Sequence, residues 1–189
     1  HVCALDRDGG IYCWGRGANG ELGDGEVQDS RLPVRVRGSR RFSAISAGGV
    51  HSCALTEDGE PFCWGLNSSG QLGTGNRVGY GDPAPVMTEE RFSALSSGWY
   101  HSCGLTVEGV AYCWGANAFG QLGDGTREDR NEPVAVAGDH RFIAISAGAQ
   151  HSCGVTEAGR VYCWGGNHVG QLGTGSYDPV EVPTAVANG

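Results

Sequence analysis

His51-Ser52-Cys53-Ala54-Leu55-Thr56-Glu57-Asp58-Gly59-Glu60-Pro61-Phe62-Cys63-Trp64-Gly65 consists of two short apolar runs around a polar turn that ends in glycine. Glu57-Asp58-Gly59 suits a three-residue hairpin loop with Gly in the left-handed position. That register pairs residue 56 with 60, 55 with 61 and 53 with 63. Cys53, Leu55 and Cys63 then share one face of the ribbon, and Ala54, Phe62 and Trp64 share the other. Both faces are apolar. An antiparallel sheet with one side in water shows polar residues there, so this one is expected to lie between two neighbours.

The stretch recurs along the chain. His1, His51, His101 and His151 stand fifty residues apart, and so do Trp14, Trp64, Trp114 and Trp164. The cysteines keep the same period in pairs: Cys3 with Cys13, Cys53 with Cys63, Cys103 with Cys113, and Cys153 with Cys163. A further alternating run, Arg41-Phe42-Ser43-Ala44-Ile45-Ser46, precedes the hairpin, and a fourth lies near Pro85-Val86-Met87. Four short strands repeated at this period are the signature of a propeller blade. Composition agrees: 34 of 189 residues are Gly, more than twice the usual roughly 7%, which excludes a helical bundle because helix interiors disfavour Gly by about 1 kcal/mol. The expected fold is all-β, a propeller of four-stranded blades, with residues 1–40 a partial blade and 41–90, 91–140 and 141–189 full repeats. The strand seen at 41–46 has no counterpart before His1, so the chain is expected to start inside a blade, its natural start lying upstream. An open arc exposes apolar blade faces at both ends. The expectation is therefore a longer ring, or, as the lesser alternative, closure by other copies of the chain.

Charge narrows the function classes. There are 21 acidic residues against 13 basic ones, a formal −8, and every basic residue is Arg. Lysine-nucleophile and Schiff-base chemistry are excluded. A general nucleic-acid binder needs a positive surface to displace counterions; the nearest candidate, Arg31, Arg35, Arg37, Arg40 and Arg41, reads as a solvated outer strand. No nucleic-acid partner is expected. No run approaches the roughly 18 apolar residues of a membrane helix, so no membrane insertion is expected either.

Three motifs recur in order: Ala47-Gly48-x-x-His51-Ser52-x-x-Leu55-Thr56-x-x-Gly59, then Cys63-Trp64-Gly65, then Asn67-x-x-Gly70-Gln71-Leu72-Gly73-x-Gly75. Together they resemble the regulator of chromosome condensation repeat over nearly the whole chain; the first unit departs with Gly17 for Asn and Glu21 for Gln. The resemblance implies a seven-bladed ring. It also implies a choice among nuclear nucleotide-exchange factors, ubiquitin-ligase accessory domains and bacterial secreted propellers, one of which inhibits β-lactamases.

Directly opposed residues in the hairpin have Cα atoms about 4.5 to 5.5 Å apart, within disulfide range. The same register opposes Cys3 to Cys13, Cys103 to Cys113 and Cys153 to Cys163. Closing about eleven residues contributes about 3 kcal/mol in the chain-entropy model. Metal binding is the rival, since His51 and Cys53 share a strand face, but the fourth ligand of a structural zinc site is not visible; free thiols are the third alternative. Disulfides point to an oxidising compartment, outside the cell, on its surface or in the periplasm, and to the secreted type of the family. A residue repeated in every blade is expected to be structural, so the four His are read as bonding a neighbouring blade or turn. No asymmetric nucleophile-base-acid set stands out. Gly70 to Gly75 lacks the Lys and the strand-to-helix context of a phosphate loop. No catalytic residue, no metal and no cofactor is expected.

The informative residues are those that break the repeat. Strand order puts the loops between strands one and two, and those between strands three and four, on one face, with the tight glycine hairpins opposite. On that long-loop face fall Val50, Trp99, Tyr100, Phe119, Gln150 and His168, with Tyr80 in a variable stretch. Aromatic residues on rigidly held loops are common interface anchors, and Trp99 is the only Trp outside the Cys-Trp-Gly series; its plainer reading is a plug between blades or at the channel mouth. The expected function is non-catalytic recognition of a protein, as an inhibitor or adhesion-type binder. The alternatives are a structural module of a surface layer and, more weakly, an exchange-factor-like protein or an enzyme in the propeller mouth.

Overall fold

The computed structural model describes residues 1–187, and it contains strands, turns and no helix among them. The last two residues of the repeat expected over 141–189 lie outside that range. Blade one has three strands, β1 (Val2–Leu5), β2 (Ile11–Gly15) and β3 (Ser30–Arg35). Blade two is β4 (Phe42–Ala47), β5 (His51–Thr56), β6 (Pro61–Gly65) and β7 (Tyr80–Pro85). Blade three is β8 (Phe92–Ser97), β9 (His101–Thr106), β10 (Ala111–Gly115) and β11 (Arg130–Ala135); blade four is β12 (Phe142–Ala147), β13 (His151–Thr156), β14 (Val161–Gly165) and β15 (Val180–Ala185). Each blade is an antiparallel meander in sequence order.

The hairpin has the expected register. Leu55 pairs with Pro61 and Cys53 with Cys63, and Thr56 N–H donates to the Glu60 carbonyl. Gly59 closes the turn at φ +77°, a value that side-chain-bearing residues rarely adopt.

The cysteines are paired as the register requires. Cys3 is bonded to Cys13, Cys53 to Cys63, Cys103 to Cys113 and Cys153 to Cys163, and no cysteine is free. The metal and free-thiol alternatives are thereby set aside. Each pair has Cα atoms 4.1 Å apart, closer than the spacing of about 4.5 to 5.5 Å expected for opposed residues. Counting alternately from the hydrogen-bonded 56/60 pair makes Cys53 and Cys63 a non-hydrogen-bonded pair, the geometry in which opposed residues approach most closely. On the second strand of each hairpin, Cys13, Cys63, Cys113 and Cys163 are all buried, so the bridges belong to the core and none contributes to a surface site.

The two apolar faces divide as expected. Ala54, Phe62 and Trp64, with Phe42 of their own blade, pack towards blade one against Ile11, Leu22 and Val36. Cys53, Leu55 and Cys63 pack towards blade three, against Phe92 and Trp114. The core is therefore a series of slabs between blades.

The fourth strand differs from the expectation near Pro85-Val86-Met87. It runs over Tyr80–Pro85, so Pro85 ends it; Val86 adds one hydrogen bond, to the Pro61 carbonyl, and Met87 lies exposed beyond it. Tyr80-Gly81-Asp82 conceals the strand because most of its side chains are only partly buried at the blade edge, where little packing enforces a pattern, and an edge tolerates Pro. The five arginines near β3 are all exposed; Arg40 lies over the Phe62 ring at 4.3 Å.

The recurrent His holds the blades together. His51 Nε2 lies 2.7 Å from Ser102 Oγ, Ser102 Oγ donates to the Gln71 carbonyl at 2.9 Å, and Trp114 Nε1 donates to the same carbonyl at 2.9 Å. The set repeats as His1, Ser52, Glu21 and Trp64 and as His101, Ser152, Gln121 and Trp164. Because the serine proton is committed to the carbonyl, the histidine must be the donor through Nε2–H, which leaves Nδ1 as the unprotonated nitrogen. Nδ1 of His51 and of His101 is buried without a partner among the described residues, so a second proton there would be a desolvated charge. Burial first, and the neighbouring His second, push both rings down to about pKa 3.

Two outcomes follow from this architecture. Intact mass without reductant is expected to fall short of the reduced mass by two hydrogens for each of the four bridges; thiols that alkylate in the native protein would contradict the pairing. The second concerns pH. The unfolded chain takes up protons at His51 and His101 near the ordinary value of 6.5, whereas the folded rings stay neutral to about 3, so stability is full above pH 6.5 and declines as pH falls from there. Each ring contributes a slope of up to about 1.4 kcal/mol per pH unit. Urea denaturation between about pH 6.5 and 5, above most carboxylate titration, should show that slope, and His51→Gln should reduce it.

Candidate protein-recognition face

The long-loop face is built on loops with internal bracing. In blade two, Asn67 Oδ1 accepts from Leu72 N–H at 3.0 Å, while its Nδ2 donates to the Asn76 and Val78 carbonyls at 3.0 and 2.9 Å. Asn167 braces blade four in the same manner. Asn117 does so in blade three with the buried Asp124 carboxylate as a partner. Burial alone would raise the pKa of Asp124, but hydrogen bonds from Thr126, Arg130 and Asn117 outweigh it and hold the carboxyl below its ordinary value. Blade one has Gly17 in place of the asparagine, and a Cβ there would collide with the Gln28 carbonyl. Its loop is braced through Gly17 N–H to Asp29 and through Asn19 to Glu21.

On this frame the repeat-breaking residues separate into two groups. Trp99 is 58% exposed and Tyr100 41% exposed. With Arg16, Gly49 and Val50 they line a pocket of about 200 Å³. Trp99 also borders a second hollow of about 250 Å³ with Gly48, Gly98, Ala147 and Gly148, at the inner ends of blades two to four. Its ring lies against Gly49 of the preceding blade, where any Cβ would clash with it. Trp99 is thus supported from below and open above, which combines a partial plug with an accessible ring face. Phe119, half-buried, meets the exposed His168 edge to face at 5.2 Å. Exposed Val169 and Tyr177 occupy the same loop region of blade four.

Two of the expected anchors are packing residues. Val50 is buried and supplies the pocket floor. Tyr80 opens β7, packs against the slab between blades two and three, and accepts a hydrogen bond from Asn76 at 3.3 Å. Gln150 lies half-buried, its carbonyl accepting from Gly166 N–H at 2.7 Å. The face therefore brings together Trp99 and Tyr100 in one place and Phe119 and His168 in another.

Arg16 is a member of the site that the repeat pattern does not mark. The carboxylate of Glu21, fully buried where other blades carry Gln, accepts from Asn19 N–H at 2.6 Å and pairs with Arg16 Nε at 3.5 Å. The departure at Glu21 is the available signal, because a buried carboxylate requires a cation or several donors nearby. Residue 16 supplies that cation and places it beside the aromatic pair.

This geometry defines an arc of β-propeller blades with the variable loops gathered on one face. The chain belongs to the RCC1-like domain family, whose model matches residues 1–188. It is similar in fold to human WBSCR16 (TM-score 0.89, 22% identity), covering 98% of this chain and 50% of that one. It is similar to Prp20p of Saccharomyces cerevisiae (TM-score 0.89, 26% identity, 98% and 48% covered), a protein described with its binding properties to Gsp1p and histones. The ectodomain of the receptor kinase CR4 of Physcomitrella patens matches with a TM-score of 0.59 and 26% identity, covering 87% of this chain and 38% of that one. The chain spans about half the length of WBSCR16 and Prp20p.

Truncating Arg16 to Ala should cost about 1–3 kcal/mol by leaving the Glu21 carboxylate under-compensated. Adding Glu21→Gln, the residue of the other repeats, should recover most of the loss in chemical denaturation; failure to recover would show that Arg16 acts through something other than Glu21.

Proposed function

We propose that this propeller recognises another protein through its long-loop face, without catalysis, in an extracellular, cell-surface or periplasmic setting. The observation that carries the reading is the Trp99–Tyr100 pair, exposed beside Arg16 on braced loops. Aromatic and Arg side chains in a pocket are the usual interface anchors, and anchors already held in place lose little entropy on binding. The family resemblance to Prp20p, described with its binding to Gsp1p and histones, supports protein recognition in general terms. Four disulfides support an oxidising compartment, and the likeness to a receptor-kinase ectodomain agrees with that setting. The non-catalytic reading is supported by the histidines, since three of the four recurrent rings are committed to interblade bonds. Inhibition and adhesion are the two forms that such recognition would take.

A surface-layer assembly module is the second reading, favoured by the exposed apolar residues Val2 on blade one and Ile143 on blade four. The two readings differ in what mutation does. Replacing Trp99 and Tyr100 by Ala should weaken affinity for a partner isolated from the surroundings of the producing cell by tenfold or more, measured by calorimetry, with the melting temperature nearly unchanged. A double variant that melts several degrees lower and binds as before would make the pair a blade plug and sink the recognition site.

A further inference from the structure

Blade one departs from the repeat at two positions that meet in space. Glu21 stands where the other blades carry Gln71, Gln121 and Gln171, and Arg16 where they carry Leu66, Ala116 and Gly166. Glutamine is sufficient for the turn itself. The Oε1 atoms of Gln71, Gln121 and Gln171 accept from the N–H groups of Ser69, Phe119 and Val169 at 2.9, 3.0 and 3.0 Å, as Glu21 Oε2 accepts from Asn19 N–H at 2.6 Å. What the carboxylate adds is its second oxygen. In blade two the corresponding atom is Gln71 Nε2, buried without a partner among the described residues. In blade one it is Oε1, which faces Arg16 Nε at 3.5 Å and accepts from Asn19 Nδ2 at 3.3 Å. Glu21 is therefore a positioning residue for Arg16.

The guanidinium held in this way keeps most of its bonding capacity. It is 58% exposed, and the Glu21 carboxylate is its one polar partner among the described residues, so its terminal N–H groups are free. Glu21 has two Asn19 donors besides, which leaves part of the Arg16 charge uncompensated. Arg16 shares its pocket with Gly49 and Val50 of blade two and with Trp99 and Tyr100 of blade three. A Cβ on Gly49 would meet the Trp99 ring at 2.5 Å, so glycine there is what lets the indole lie over blade two. Two unrelated departures from the repeat, at 16 with 21 and at 99 with 100, thus converge from different blades on one place. The pocket, about 200 Å³, is smaller than the roughly 300–1,000 Å³ of small-molecule sites and has room for one or two side chains of a partner.

We infer, on the protein-recognition reading of this face, that the pocket takes a carboxylate side chain next to an aromatic one, an Asp or Glu beside a Phe, Tyr or Trp in the partner. The planar guanidinium fork matches a carboxylate in shape and charge, and the open face of Trp99 offers stacking area to the ring. The formal −8 of the chain repels an acidic stretch at long range, so the match is to a single carboxylate in an otherwise neutral segment. A basic segment is the rival occupant.

The probes are acetyl-Gly-Phe-Asp-Gly-amide and its Asn and Lys counterparts, added to the whole chain. The Trp99 indole N–H and the Arg16 Nε–H, assigned by Trp99→Phe and Arg16→Gln, are followed by NMR. The Asp peptide is expected to shift both signals and to bind about fivefold more tightly than the Asn peptide at low salt, the upper range for an exposed ion pair, with the advantage reduced at about 0.5 M salt. Arg16→Leu with Glu21→Gln, which copies Leu66 and Gln71 of blade two, should abolish the advantage while the Asn peptide binds as before; Arg16→Gln with Glu21→Gln serves if that variant does not fold. Glu21→Gln alone should reduce the advantage, because Arg16 is then present but no longer held. Equal affinity for the Asp and Asn peptides, with Trp99 responding to both, would overturn the carboxylate assignment and leave aromatic recognition standing. Tighter binding of the Lys peptide would overturn it in favour of a basic partner, and an Asp advantage that survives loss of Arg16 would place the carboxylate elsewhere. No response at Trp99 to any of the three would overturn the inference together with the pocket as a recognition site.

Discussion

One carbonyl per blade governs the assembly. The main-chain oxygens of Glu21, Gln71 and Gln121 each accept two hydrogen bonds from the next blade, from a serine hydroxyl and an indole nitrogen. Such an oxygen is costly to bury unpaired, so each blade is incomplete until its neighbour arrives. The histidine extends the same constraint by donating to the serine, and the glycine at 23, 73 or 123 leaves room for the indole that reaches the oxygen. Stability in such an array is a sum over nearest-neighbour interfaces. Residues fifty apart in sequence are therefore fixed by a shared oxygen, while the side chains between them are free to vary.

That constraint explains what can be read in the sequence. His, Ser, Cys and Trp at fixed spacing are the groups that the interface consumes, so the fold, the hairpin register and the disulfide pairs are legible from them. The outer strand lies several residues from its expected place because it pairs with a single strand and meets the preceding blade through one loop N–H; Tyr80-Gly81-Asp82 carries no periodic signal that packing would enforce. Trp99 and Tyr100 are legible as departures. Val50 and Tyr80 are also departures, yet their burial depends on the wall of the adjoining blade, which a single unit does not reveal. Arg16 is hidden for a different reason. Its meaning depends on a buried carboxylate at Glu21, and burial at that site is a property of two blades together.

On the proposed function, recognition and construction would occupy different positions in one repeat. A side chain that serves the interface must recur, and a recurring side chain cannot distinguish one partner from another on a face where every blade looks alike. Specificity must come from the places where the repeat is broken, and the long-loop face concentrates them: the pair at 99 and 100, the Phe119–His168 contact, and the charge exchange at 16 and 21. The opposite face has departures as well, in exposed Val107, which lines a hollow of about 280 Å³ with the Glu57–Gly59 turn and Arg91, and in Ile143 on β12.

The disulfides complete this division of labour. Each joins the two strands of the glycine hairpin, and the sulfurs of Cys3, Cys53 and Cys103 lie 3.8, 3.6 and 3.7 Å from the interblade Ser52, Ser102 and Ser152. The hairpin that carries the His and the Trp is thereby cross-linked at its centre, and the link between strands one and two that carries Trp99 and Tyr100 leads directly into the bridge from Cys103 to Cys113. Fixing the hairpin fixes the bonding groups on one side and the aromatic anchors on the other. On the proposed function, a covalent link next to the loop that carries Trp99 and Tyr100 would reduce the ordering those side chains undergo when a partner binds.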